Sequence, residues 1–200
     1  MTAGRTALLL LGLLALGLAA VPVMLLLPGT LLVATDTPAP SDAALLLDGS
    51  GPDALVGVEA WRRGGLVKDV VVVETPVKTH ALVAYWSDFV AWGLARPSPT
   101  PAEHLRVVRS ASPVPTAQTR AALPALRQLG ARSVLLPGGG LGSKLSRRDA
   151  AAILEPAGIS LRLVPLGPLE RDPARWYENA DDRRAVLDEW LSLVTGGESL

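Results

Sequence analysis

The sequence predicts an α/β fold: a three-layer, Rossmann-like domain with a mainly parallel sheet of about five strands, preceded by one N-terminal transmembrane helix. Three observations carry this reading. From residue 41 onward, short aliphatic runs alternate with stretches of helical periodicity. A single long apolar run without charges precedes them. Of the 200 residues 49% are apolar but only 4% aromatic, so the excess is aliphatic, as strands covered on both faces require.

No charged residue lies between Arg5 and Asp36. Residues 7–27 are apolar apart from Gly12, Gly17 and Pro22. As a helix rising about 1.5 Å per residue, the run spans roughly the 30 Å hydrocarbon core of a bilayer. A cleaved secretory signal is the rival reading, but its apolar region is shorter, about 7–15 residues. Ala19-Ala20 is also followed by Val21-Pro22, a poor cleavage site. With Arg5 on the short side, the positive-inside rule puts the remainder outside the cytoplasm. The expected organisation is therefore an anchor or uncleaved signal over 1–35, a polar spacer over 36–42, and an extracytoplasmic α/β domain over 43–200. The protein is expected in the cell membrane as a single-pass chain.

Within the domain, residues 43–47 read as a first strand, broken by Asp48-Gly49-Ser50-Gly51-Pro52. A helix over 53–63 ends at Gly64-Gly65. Four consecutive valines, 70–73, mark the second strand. Residues 79–95 form a very apolar helix candidate carrying Tyr85, Trp86, Phe89 and Trp92. Those aromatics fit a core-facing helix, or else an interfacial helix near the anchor or a greasy wall for a lipid-linked ligand. A proline-rich loop over 97–101 leads to a third strand at 105–108, then a helix over 116–129. A fourth strand at 133–136 precedes a helix over 146–154, and a fifth strand covers 161–166. The last helix is the best specified. Asn179 can cap it, Asp181 and Asp182 suit its positive end, and Val186, Leu187, Trp190, Leu191 and Val194 form an apolar stripe.

Nineteen basic residues balance nineteen acidic ones, which removes any net attraction to nucleic acid or to an anionic membrane. The absence of cysteine excludes disulfides, thiolate catalysis and cysteine-based metal centres. Two histidines, His80 and His104, leave little for a histidine-rich metal site, and neither has an evident catalytic partner. No motif specifies a cofactor.

In doubly wound folds the ligand crevice lies beyond the carboxyl ends of the strands. That rule selects Asp48, Gly49 and Ser50 after the first strand, Glu74 and Thr75 after the second, and Arg109 and Ser110 after the third. After the fourth it selects Gly138, Gly139, Gly140, Ser143 and Lys144, with Arg147 and Arg148 on the following helix. The three glycines with Ser143, Lys144 and Arg147 could cradle an anion at a helix start. The spacing is neither a Walker loop nor a dinucleotide fingerprint, and a plain strand-to-helix connector is the alternative. Asp48 and Glu74 could divide acid and base roles or share a metal ion, which makes a metal-dependent hydrolase a further reading. Their ordinary alternatives are an Asx turn at Asp48 and a solvated strand end at Glu74.

Four segments in order resemble the envelope-protein family that includes SanA, ElyC and YdcF-like proteins. Ser41-Asp42-Ala43-Ala44-Leu45-Leu46-Leu47-Asp48-Gly49 is similar to its opening strand. Glu59-Ala60-Trp61-Arg62-Arg63-Gly64 is similar to its first helix end. Ser133-Val134-Leu135-Leu136, followed by a polar loop and Ser146-Arg147-Arg148, is similar to its fourth strand and arginine-bearing helix. Trp176 through Trp190, with Arg184, Val186, Leu187 and Glu189, is similar to its closing segment. The resemblance spans most of 41–195 and implies a role in cell-envelope integrity and in wall or lipid-carrier metabolism. The family's loop after the fourth strand normally carries a Ser and a His, whereas residues 137–146 here hold no His. The expected ligand is thus an anionic, phosphorylated or lipid-linked small molecule. A non-catalytic scaffold that kept the fold is the alternative.

Overall fold

The computed structural model describes residues 29–47, 51–78, 83–93, 95–141, 143–167 and 172–195. The proposed membrane run 7–27 lies outside these residues, and among the described residues no helix is long and apolar enough to cross a membrane.

Five strands make one parallel sheet: β1 (Ser41–Leu46), β2 (Val67–Glu74), β5 (Leu105–Arg109), β6 (Ser133–Pro137) and β7 (Ser160–Val164), in the order β5-β2-β1-β6-β7. A two-stranded antiparallel ladder, β3 (Val77–Lys78) with β4 (Val83–Ala84), stands apart. The helices of the domain, after the helical residues 29–32, are α1 (Gly51–Arg63), α2 (Trp86–Ala91), α3 (Pro115–Gln128), α4 (Ser143–Leu154) and α5 (Ala180–Thr195). The expected α/β class with a mainly parallel five-stranded sheet flanked by helices is what the chain adopts, and its strand order is consistent with a Rossmann-like fold.

The aliphatic runs become strands because both faces of the sheet are covered. Ala43, Leu45, Val71, Val73, Val134, Leu136 and Leu163 point to one face, where Ala122 and Leu126 of α3 and Ala150 and Leu154 of α4 close the core. Ala44, Leu46, Val70, Leu135 and Val164 point to the other, against Ala54, Leu55 and Val58 of α1. Alternation within each strand therefore sorts residues between two apolar layers rather than between core and water. Helix α1 stops where Gly65 takes φ +75 and Leu66 N–H returns to the Trp61 carbonyl at 2.9 Å.

Three elements depart from the sequence reading. The helix expected over 79–95 is instead the β3–β4 ladder followed by the six-residue α2; residues 79–82 and 94, with His80, lie outside the described part. No residue of α2 is buried. Trp86 only lines the edge of the second core, while Trp92 is 52% exposed and meets Phe89 edge-on at 5.6 Å. The run does not lie on the sheet because Glu74 and Arg109 tie α2 over the ends of β2 and β5. Helix α4 starts at Ser143 rather than at 146, which places Ser143 and Lys144 in its first turn. In α5 the Asn179 cap is as expected, its Oδ1 accepting from Asp181 N–H at 2.8 Å. The apolar stripe divides, however: Val186 is buried, whereas Leu187, Leu191 and Val194 face outward.

The segment ahead of β1 lies against the domain. Asp36 donates its N–H to the Leu163 carbonyl at 2.7 Å and accepts the Leu163 N–H on Oδ2 at 2.8 Å, covering the outer edge of β7. Ala34 N–H reaches Ser143 Oγ at 2.8 Å, Lys144 Nζ donates to the Leu31 carbonyl at 3.2 Å, and Leu32 is fully buried.

Candidate functional site: the carboxyl-end crevice

Strands β1 and β6 are neighbours, yet α1 leaves β1 for one face and α4 leaves β6 for the other. The order of strands turns back on itself here, and such a point opens a crevice outside the carboxyl ends. The predicted loop after β6 flanks it. Asp48, Gly49 and Ser50, after β1, lie outside the described residues. Gly138, Gly139 and Gly140 follow β6 directly. Gly138 donates its N–H to the Val164 carbonyl at 3.0 Å and is seated against the Leu163 side chain. Gly139 is buried. Gly140 is exposed, and a Cβ added there would meet no atom within 4 Å. The loop thus presents backbone and open space rather than side chains.

The start of α4 is less open than its sequence implies. Glu189, buried on α5, accepts the Leu145 N–H on Oε1 at 3.1 Å. Ser143 N–H returns to the Gly140 carbonyl at 3.1 Å and Ser143 Oγ holds Ala34 N–H. A carboxylate of the protein's own already answers the positive end of this helix. The cations beside it are also engaged: Arg147 Nε sits 3.3 Å from Asp36 Oδ2, and Arg148 pairs with Asp149 at 2.8 Å. Lys144 and Arg147 therefore fix the segment 29–36 before they can serve a ligand.

The other side of the crevice, over β2 and β5, is closed by a polar network. Glu74 is 4% exposed, so it is not a solvated strand end. Its two oxygens accept Ser87 N–H at 3.0 Å and Ser87 Oγ–H at 2.7 Å. Arg109, at the end of β5, donates to Ser87 Oγ at 3.1 Å and to Asp88 Oδ1 at 2.5 Å, with its guanidinium 4.4 Å above the Tyr85 ring. Asp88 Oδ2 accepts the Tyr85 N–H at 2.8 Å, and this bond, ahead of the Arg109 charge, lowers the Asp88 pKa. Ser110 is buried and its hydroxyl donates to the Ser112 carbonyl at 2.9 Å, closing a turn. Strands β1 and β2 are adjacent, as a joint role for Asp48 and Glu74 requires, but Glu74 has both oxygens bound to Ser87.

Sequence reasoning missed Ser87 and Asp88 as crevice residues and Glu189 as the partner of α4. An acidic residue three positions after Tyr85 was a usable sign of a helix start. Nothing local marks the other contacts, which join residues far apart in the chain.

His104 lies at the opposite end of the sheet, its Nδ1 3.3 Å from Asp69 Oδ1. Nearby, Asp42 Oδ2 accepts Arg132 N–H, Ser133 N–H and the Ser133 hydroxyl at 3.0–3.1 Å, and Lys68 Nζ is 3.0 Å from Oδ1. These bonds, the Arg132 N–H first, hold its pKa at about 2. Glu59 is likewise held at about 2, by Arg62 above all and by Arg63, both at 2.8 Å, against the opposing effect of burial. Compared with known proteins, the chain matches no protein-family model and no curated protein.

Proposed function

We propose that the chain is a membrane-anchored cell-envelope protein of the SanA, ElyC and YdcF-like kind, which binds an anionic or phosphorylated small ligand at the carboxyl end of the sheet. The observation that carries this reading is the position of Gly138, Gly139 and Gly140, at the turning point between β1 and β6. A loop without side chains, open at Gly140, lets an anion approach the backbone closely. The uncharged run 7–27 supports the anchor.

The test is thermal unfolding of the full chain in detergent against inorganic phosphate, nucleotides and soluble polyprenyl-phosphate analogues. A ligand at about a hundred times its Kd stabilises by about 2.7 kcal/mol, or roughly 5–11 °C for a domain of this size. The discriminating variant is Gly140→Asp, which adds a negative charge where the structure has room for a side chain. Loss of the shift in this variant supports the site; an unchanged shift removes it. Lys144→Ala and Arg147→Ala are poorer probes, because both residues hold the segment 29–36.

A specific observation favours a second reading, a non-catalytic scaffold. The Glu74 carboxylate is bound on both oxygens and Glu189 occupies the start of α4, which leaves the predicted chemical groups serving the fold. A flat ligand screen on a cooperatively folded chain selects this reading.

A further inference from the structure

Helix α5 has two apolar sides, and only one of them is used. Val186 is buried toward the domain, beside the Glu189 carboxylate that caps α4. Leu187, Leu191 and Val194 are 58%, 63% and 78% exposed. At about 100° per residue these three fall within roughly 60° of arc, a continuous stripe along the helix. Single exposed leucines are ordinary on a protein surface, but an aligned row of three along one helix marks a contact.

The residues around the stripe narrow the partner. Arg183 and Arg184 lie on its two sides in the helical wheel, with Trp190 on one shoulder. The acidic Asp181, Asp182 and Asp188 lie further round. Arg183 donates to the Tyr177 carbonyl at 2.6 Å, and Arg184 keeps a loose, exposed pairing with Asp188 at 3.7 Å. Leucine and valine flanked by arginine and tryptophan is the pattern of a helix lying in a lipid interface, with arginines reaching up to anionic headgroups.

The position of the N-terminal segment points to the same partner. The apolar run ends at residue 27, and Gly29 is packed so closely on the Pro173–Glu178 turn that a Cβ there would overlap the Pro173 carbonyl and the Trp176 ring. That turn leads directly into α5. Residues 31–36 are then strapped to α4 and β7 through Leu31, Ala34 and Asp36. Gly29, two positions after the run, therefore lies beside the start of α5. About 21 residues suffice to cross a bilayer.

We infer that α5 is an interfacial helix: it lays Leu187, Leu191 and Val194 into the surface of the bilayer that the N-terminal run spans, and so fixes the orientation of the crevice relative to the membrane. This inference rests on the anchored reading given above, and the test separates the two.

The chain has no cysteine, so single labels can be introduced without removing any. Leu191→Cys, Leu187→Cys, Ala185→Cys and Leu14→Cys are each made in the full chain, spin-labelled and reconstituted in vesicles of phosphatidylethanolamine and phosphatidylglycerol. Ala185 is exposed on a different side of α5 and is the water-facing reference. Relaxation by oxygen, which partitions into lipid, is compared with relaxation by a polar nickel chelate. Labels at 187 and 191 are expected to favour oxygen and to be about fivefold less accessible to the chelate than the label at 185, as for side chains sunk several ångströms into the interface. Equal chelate access at 191 and 185, with residue 14 buried in lipid, overturns the interfacial helix and leaves the anchor standing. Chelate access at residue 14 overturns the anchor and the inference together. Spin–spin broadening between labels at 191 assigns the stripe to a second copy and overturns the lipid contact. Protection at 191 that persists without vesicles assigns the stripe to residues 1–28 of the same chain and overturns it equally.

Discussion

At the amino end of the sheet, Asp42 gathers two backbone N–H groups, a hydroxyl and a lysine, while Glu59 binds Arg62 and Arg63. At the carboxyl end, β6 runs out into three glycines with open space at Gly140. One end is finished with carboxylates held far below their usual pKa, the other with bare backbone. The difference teaches how to separate stability from binding in this chain. A perturbation of the amino end should cost stability and leave ligand alone, and a perturbation of the glycine loop should do the reverse. The β2–β5 side of the crevice lies between them: it sits at the carboxyl end but is closed by Glu74, Ser87, Asp88 and Arg109.

Acid is the largest lever on this contrast. Asp42 and Glu59 are lowered from 3.8 and 4.5 to about 2 in the folded protein. A depressed pKa contributes stability that is complete above the unfolded value and disappears as pH falls through the folded one. Unfolding free energy should therefore be level from about pH 7 to pH 5 with respect to these groups, then fall by about 4 kcal/mol between pH 5 and 2. Chemical denaturation at stepped pH measures it. A flat profile through this window would mean that the amino-end carboxylates stabilise nothing.

Asp42→Ala is the corresponding substitution. It strips the partners of the Arg132 and Ser133 N–H groups, and a loss of about 2 kcal/mol is expected, read as a Tm lower by roughly 4–8 °C. Ligand affinity should not change. Arg109→Ala comes next. It removes the Asp88 pair and the contact over Tyr85, but the guanidinium is half exposed, so screening limits the loss to about 1 kcal/mol. Its wider effect should be local, with faster amide exchange in α2. Gly140→Asp should change stability least, by under about 0.5 kcal/mol, since its Cβ meets open space. It should nevertheless weaken an anionic ligand most. A destabilising Gly140→Asp, or a ligand-blind one, would break the contrast between the two ends.

How much of this was legible in the sequence follows from the range of the interactions involved. The strands 43–47, 70–73 and 133–136 could be read because a strand covered on both faces must be aliphatic throughout. The Asn179 cap could be read because its bond to Asp181 spans two residues. The start of α4 was placed three residues late because it is set by Glu189, forty-four positions away, and by the strapping of Ala34 to Ser143 across 109 positions. Apolar content alone also misled at 79–95: Trp86 and Phe89 suggested a buried helix, but a buried carboxylate, Glu74, takes up Ser87 and holds α2 over the strand ends. The stripe on α5 was legible as a stripe. Its division between domain and exterior was not, since periodicity gives the face of a helix and not what covers it.

The most direct measurement is amide hydrogen exchange on the full chain, with and without the ligand that raises its Tm, or inorganic phosphate where none does. Added protection should be confined to residues 138–141 and the first turn of α4, with the α2 segment 85–93 unchanged. Protection confined to 85–93, or none anywhere at saturating ligand, would contradict binding at the glycine loop between β1 and β6.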